Sequence, residues 1–299
     1  MVSVLLRRPH WVYASDLMSS PVACLCRMLG IQTVYHEHDA PGEQSLRGAV
    51  GRLLAFTRRR AGQVADIVAI PNAERARVFR ETLKSRETSV VWNCPRREEV
   101  RENNPGAGIK LLYHGSINAA RLPLTLIGAL RLLPDKVSLR IGGYETIGSR
   151  GYLDEFRKHA ESQGLEAGRI EIMPPVPARN ELMDLCAGAQ IGIGFLPRLS
   201  GDINMTAMFG ASNKVFDYMA CGLALIVSDQ PGWAGPLVAS GTAVACNPED
   251  PSSIANAVQS LIRNPAELRQ RGERGRQLIL DGWNYEAQFQ PLLAALEKT

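Results

Sequence analysis

No apolar run of about eighteen residues occurs in the 299-residue chain, so no membrane-spanning helix is expected. Met1-Val-Ser-Val-Leu-Leu is too short an apolar stretch for a secretory signal and is followed at once by Arg7-Arg8-Pro9. Cysteine is sparse: Cys24, Cys26, Cys94, Cys186, Cys221 and Cys246 form no C-x-x-C pair, and most sit in apolar surroundings. That pattern reads as reduced, buried thiols of a cytoplasmic protein. Aromatics make up only 6% of the chain, and no aromatic-rich basic segment exists, so no nucleic-acid partner is expected. What is present has the apolar and charged fractions of an ordinary globular protein, long enough for one or two domains with substantial cores.

The net charge of +4 is unevenly placed. Residues 1–105 hold 16 Lys/Arg against 11 Asp/Glu, a balance of +5; residues 106–299 hold 18 against 19, a balance of −1. The excess gathers at Arg47, Arg52 and Arg58-Arg59-Arg60, on a predicted helix whose other face carries Leu46, Val50, Leu53 and Leu54. Such a helix is either a solvated face or a peripheral contact with an anionic membrane, on which a basic amphipathic helix lies flat. The expected location is the cytoplasm or the inner face of a membrane.

From residue 109 onward, apolar strand-like runs alternate with helical patterns. Strands are predicted at 109–114, 137–141, 170–173, 191–196, 224–228 and 242–246, and helices at 121–133, 150–163, 179–188, 213–221 and 233–239. A shorter alternation precedes them, with strands at 11–15, 33–36, 67–70 and 90–92 and helices at 21–29, 45–61 and 73–83. Long helical patterns at 250–263 and 265–281 and an amphipathic segment at 285–296 close the chain. Alternation of this kind means parallel sheets covered on both faces. The segment 96–108, rich in charge, Asn and Gly, reads as a hinge. Ligands of such sheets bind beyond the carboxyl ends of the strands, where the loops Gly115-Ser116, Gly142-Gly143-Tyr144-Glu145 and 209–213 should gather.

The densest chemistry lies in Gly210-Ala-Ser-Asn-Lys214-Val-Phe-Asp217-Tyr-Met-Ala-Cys-Gly222, followed by the apolar run Leu223-Ala-Leu-Ile-Val-Ser-Asp229. A small-residue loop opens a helix with Lys214 and Asp217 on one face, and Gly222 stops it. Free amides and the helix dipole at such a start favour an anion, and Lys214 adds a compact positive charge suited to phosphate. A carboxylate one turn on can accept from sugar hydroxyls. Together these features imply binding of a nucleotide diphosphate.

Two doubly wound (Rossmann-like) α/β domains and this loop–Lys–Asp helix resemble the GT-B fold of nucleotide-sugar glycosyltransferases, and more closely the retaining family 4, or glycosyl transferases group 1. Ser212-Asn-Lys-Val-Phe-Asp-Tyr-Met-Ala-Cys-Gly resembles the family's S/P-N-K-x-F-E-Y-M-A-x-G pattern, and Tyr113-His-Gly-Ser-Ile with Arg121 resembles its first donor-domain strand. The resemblance implies an incomplete acceptor-side domain at 1–105, a nucleotide-sugar donor domain at 106–283 and a terminal helix, 284–299, packing back on the first. It implies transfer of a sugar from a nucleotide-diphosphate sugar to a hydroxyl of a carbohydrate or lipid-linked acceptor with retention, in polysaccharide or glycolipid biosynthesis. Arg121 and Lys214 would clamp the diphosphate and Asp217 would bind the ribose. Gly115, Ser116, Gly143, Glu145, Ser212 and Asn213 would complete donor binding, with backbone near Met173–Val176 at the base.

Three departures stand out. Phe209 occupies a position where many members have a second glutamate, and Ser116 one where they often have arginine. The first three strand–helix units of the family have no counterpart here, so the chain is either truncated or completed by a partner. The alternative functions are a non-catalytic nucleotide-sugar binding module and, in third place, a GT-B sugar-nucleotide epimerase.

Asp16, just past the first strand, is a candidate acceptor-side catalytic group; the competing reading is a helix N-cap for 21–29. His36-Glu-His-Asp39 would place its two histidines on one strand face and its two acids on the other, which disfavours a single metal cluster. His114 is either near the donor or simply packed. No D-x-D pair occurs, and no metal or other cofactor is expected besides the nucleotide sugar as co-substrate.

Overall fold

Ile67–Ile70 is buried at every position, and so is Ala224–Ser228. Strands buried on both faces belong in parallel sheets sandwiched by helices, and the chain forms two of them. In the computed structural model the described residues are 9–297, apart from 167, 175–177 and 199. They group into two compact units: residues up to 93 with 207–211 and 285 onward, and residues 94–206 with 212–284. The segment 94–105 thus groups with the second unit.

The first unit runs β1 (Trp11–Ser15), α1 (Ser20–Met28), β2 (Gln32–His36), α2 (Gly48–Val64), β3 (Ile67–Ile70), α3 (Ala73–Leu83) and β4 (Thr88–Val90). Its sheet is parallel, in the order β1-β2-β3-β4. Tyr35, Val68, Ile70 and Phe79 pack with Ala23 and Ala61 on the face covered by these helices. Asn72 caps α3, its side-chain oxygen accepting from the Arg75 amide. The sheet order never reverses among the described residues, so the first unit has no switch point of the kind that opens a ligand crevice.

Periodicity places Leu46, Val50, Leu53 and Leu54 on the buried side of α2, and the structure differs. Gly51, Leu54, Thr57, Ala61 and Gly62 are buried, while Val50 and Leu53 are exposed. Small side chains let α1 and α2 approach: the Ser20 and Thr57 hydroxyls lie 2.8 Å apart, and the Cys24 thiol donates to the Thr57 carbonyl at 3.3 Å. Arg58 also leaves the solvent-facing basic cluster. Its guanidinium forks onto the buried Glu37 carboxylate at 2.7 and 2.6 Å.

The second unit runs β5 (Ile109–Ile117), α4 (Thr125–Arg131), β6 (Val137–Glu145), α5 (Tyr152–Ser162), β7 (Ile170–Ile172), α6 (Arg179–Ala187) and β8 (Ile191–Gly194). It continues with α7 (Ile203–Thr206), α8 (Asn213–Ala220), β9 (Ala224–Ser228), α9 (Pro231–Ala239), β10 (Ala243–Cys246), α10 (Pro251–Ile262) and α11 (Pro265–Asp281). The sheet is parallel in the order β10-β9-β8-β5-β6-β7. Its winding reverses between β5 and β8, which pair at Leu111–Ile191 and Leu112–Gly192. A doubly wound sheet opens its ligand crevice at that reversal. The last helix, α12 (Tyr285–Glu297), returns to the first unit, where Leu292 packs with Val34, Ile67, Ala69 and Val91. No helix among the described residues is long and apolar enough to cross a membrane.

Candidate functional site

The reversal fixes where chemistry can occur in the second unit: at the carboxyl ends of β5 and β8 and the start of α8. That helix is nearly submerged, with every residue from Lys214 to Ala220 buried. A charged pair inside such a helix costs free energy unless something compensates it. Lys214 and Asp217 are compensated very differently.

Lys214 finds no carboxylate among the described residues. Its ammonium lies 4.0 Å from the centre of the Tyr113 ring, a cation–π contact that partly replaces water. Burial, with the Arg121 charge nearby, holds its pKa well below the usual lysine range. Arg121 donates through Nη1 to the Ser116 hydroxyl at 2.7 Å and through Nη2 to Met205 Sδ at 3.4 Å, while its buried Nε has no partner. The Tyr113 hydroxyl donates to the Ser116 carbonyl. Two basic side chains, one aromatic ring and a short loop therefore converge without a counter-ion among the described residues.

Gly115 and Gly143 make the approach possible. Gly115 has φ +108, and a β-carbon there would lie 3.5 Å from Lys214 Cε. A β-carbon on Gly143 would sit 2.0 Å from the Gly115 carbonyl oxygen, which no side chain allows. The two glycines pair across β5 and β6. Ser212 is the N-cap of α8 but makes no side-chain cap, and Asn213, the first helical residue, is exposed. With no side-chain cap, the first-turn amides of α8 stay available to an anion.

Asp217 is fully buried and forked by Arg179, whose Nη1 and Nη2 donate to its two oxygens at 2.9 and 2.6 Å. Arg179 Nε donates in turn to Glu99 at 2.5 Å. Burial pushes the Asp217 carboxyl up to about 6, against the opposing pull of Arg179. His114 Nε2 lies 3.5 Å from Asp217 Oδ2 but outside hydrogen-bond geometry. Burial first, then Lys214 and Arg179, hold His114 well below the usual imidazole range, so it is neutral. Its amide donates to the Tyr218 hydroxyl at 3.0 Å, which ties β5 to α8.

Glu145 stands apart from the two cations. Its carboxylate accepts from the amides of Gly151 at 3.1 Å and Leu153 at 2.7 Å, at the start of α5. The backbone expected near the base, Met173–Val176, falls partly on residues 175–177, outside the described residues.

In the first unit Asp16 has φ 62 and ψ 177, a conformation nearly confined to glycine and costing about 1–3 kcal/mol elsewhere. Ser19, not Asp16, holds the N-cap position of α1, without a side-chain cap, and the Asp16 carboxylate accepts instead from the His38 amide at 2.8 Å. The His36 and His38 rings pack in a tilted arrangement with centroids 4.0 Å apart, on one face as the alternation predicts, while Glu37 binds Arg58 and Asp39 binds Arg75 at 2.9 Å. Phe209 packs edge-on against Trp92, with ring centroids 5.1 Å apart.

The profile of a family described as glycosyl transferase-like matches residues 124–294, more than half of the chain. The chain belongs to the glycosyl transferase-like family. No curated protein matches the sequence of this glycosyl transferase-like chain. Its fold is similar to that of Anabaena HepE in complex with UDP, with TM-score 0.75 and 15% identity over 100% of this chain and 81% of HepE. HepE has also been solved in complex with UDP-glucose. Sucrose-phosphate synthase from Thermosynechococcus elongatus gives 0.71 and 17% over 99% of this chain and 75% of that one. The α,α-trehalose 6-phosphate synthase from Burkholderia multivorans gives 0.69 and 16%, with 99% and 72% covered. These likenesses show a GT-B fold for the glycosyl transferase-like chain.

Sequence reasoning missed Arg179 and its partner Glu99. A signal was present: Arg179 opens a predicted helix, where the dipole disfavours a cation. A local rule broken at that point marks a residue needed elsewhere.

Proposed function

We propose that the chain transfers a sugar from a nucleoside-diphosphate sugar to an acceptor hydroxyl, with retention at the anomeric carbon. The observation that carries this reading is the counter-ion-free pair Lys214 and Arg121 at the start of α8, beside two glycines that let a diphosphate approach backbone. A leaving diphosphate gains charge in the transition state, and Arg121 with a Lys214 protonated as the diphosphate binds would stabilise that charge from fixed positions. Asp217 is fully buried with both oxygens on Arg179, so it accepts from the ribose hydroxyls only where the donor opens part of that fork. The UDP and UDP-glucose bound by HepE support a uridine nucleotide as the first donor to try. The acceptor is a carbohydrate or a lipid-linked carbohydrate, and the setting is polysaccharide or glycolipid synthesis in the cytoplasm.

The test is a thermal-shift panel of UDP, GDP and ADP on the wild-type chain. A ligand at about 100 times its dissociation constant adds roughly 2.7 kcal/mol, a rise of a few degrees. One nucleotide is expected to produce it. No shift with any nucleotide on folded protein would overturn the donor-site assignment.

Asp16 gives a second, separable prediction. Its strained backbone past β1 suits a group held for chemistry, so Asp16→Ala should cut turnover with a competent acceptor about a hundredfold. The nucleotide-induced shift should persist. Unchanged turnover would reduce Asp16 to a turn residue, while donor hydrolysis with no transfer in wild type would favour the binding-module reading.

A further inference from the structure

The second unit exposes its large apolar side chains at most in pairs: Tyr144 and Ile147 lie close together at and just past the end of β6, while Leu132 and Val238 are elsewhere. The first unit does not. Leu25, Met28 and Leu29 stand out from α1 and its end, and Leu53 and Phe56 from α2, with Phe56 62% and Met28 83% exposed. The two helices pack side by side through Ser20, Cys24 and Thr57, so their exposed residues belong to one surface. Scattered apolar residues need no explanation, but a cluster does.

The charge around this cluster identifies its occupant. Neither α1 nor α2 contains an acidic residue. At 100° per residue, Arg52, Leu53, Phe56, Arg59 and Arg60 fall on one side of α2, opposite the buried Gly51, Leu54 and Ala61. All five are exposed, and no carboxylate pairs with Arg52, Arg59 or Arg60 among the described residues. The neighbouring Arg58 is diverted to Glu37, so the remaining arginines share the face with the apolar side chains. A second copy of the chain docked by two-fold symmetry would set arginine against arginine. An anionic lipid surface accepts both halves: phosphates take the guanidinium groups, and Leu53 and Phe56 enter the acyl boundary.

We infer that the α1–α2 face is a docking surface for an anionic membrane. The full-length chain is expected to co-sediment with vesicles of phosphatidylcholine and phosphatidylglycerol, but not with phosphatidylcholine alone, and to be released by salt. The triple variant Arg52→Gln, Arg59→Gln, Arg60→Gln should lower the partition coefficient by roughly a hundredfold, since each arginine near such a surface contributes about a fivefold factor. Leu53→Ser with Phe56→Ser should lower it by about tenfold or more at fixed charge. All five positions are exposed, so both variants should retain the wild-type melting temperature. Absence of binding to anionic vesicles, or binding that neither variant alters, overturns the inference. So does sedimentation velocity showing a wild-type dimer that both variants dissociate without any vesicle binding.

Discussion

Lys214→Met is expected to raise the melting temperature while removing the nucleotide response. In the free protein the lysine is 7% exposed, lies among Tyr113, Gly115 and Arg121, and has no counter-charge among the described residues. Exchange of a buried charge for an apolar chain of similar length stabilises by about 1–3 kcal/mol, or a few degrees for a domain of this size. Binding should weaken at least tenfold, because the diphosphate loses the ammonium and gains a thioether. The wild-type lysine should also take up a proton as the anion binds. Burial depresses its pKa, an incoming diphosphate raises it, and above the free-state value the difference is filled from solvent. Calorimetry in buffers of different ionisation enthalpy reads that uptake directly. A destabilised Lys214→Met, or one that binds normally, would remove Lys214 from the site.

Arg179→Leu is expected to destabilise strongly at alkaline pH and weakly at acid pH. The substitution leaves Asp217 fully buried without its fork and Glu99 without its partner. Breaking a buried pair costs about 3–5 kcal/mol; with Arg179 36% exposed, about 2–3 kcal/mol is the fitting figure. The sign of the pH dependence follows from Asp217, whose folded pKa of about 6 already lies above the ordinary 3.8. A raised folded pKa means a contribution fully present below the unfolded value and lost as pH rises through the folded one. Removing Arg179 raises the folded pKa further, so the variant can protonate Asp217 at pH 5 and recover, but not at pH 8. Arg179→Lys should restore part of the loss. An equal deficit at both pH values would show that packing, not the buried carboxyl, sets the cost.

Much of the fold was legible because its strands are mostly apolar and are punctuated by segments of helical period. Trp11–Ser15, Ile67–Ile70 and the helix Ala73–Leu83 stand where periodicity places them. The helix expected at 121–133 contracts to Thr125–Arg131, since Pro123 disfavours helical backbone before it and the Arg121 amide is taken by Asn118. The strand expected at 90–92 appears at Thr88–Val90, set by its pairing with Val68–Ile70 rather than by its own apolar run. The buried side of α2 was misread because glycine, alanine and threonine permit close approach while hydrophobicity points to larger residues. At the site, the family resemblance is what brings Lys214, Arg121 and Gly115 together. Arg179 has no place in that pattern, and no local periodicity links it to Asp217, 38 residues on in the chain.

The route of the chain reverses the usual order of assembly. The four described strands of the first sheet are made by residue 90, yet Leu292 of α12 is part of the cluster that buries Val34, Ile67 and Ala69. During synthesis those side chains wait, open to water or to a chaperone, until nearly the last residues leave the ribosome. The strands and helices of the second unit are all made by residue 281, so it can close first. A stop codon that removes only α12 therefore leaves a protein whose earliest-made unit is the one that cannot finish folding.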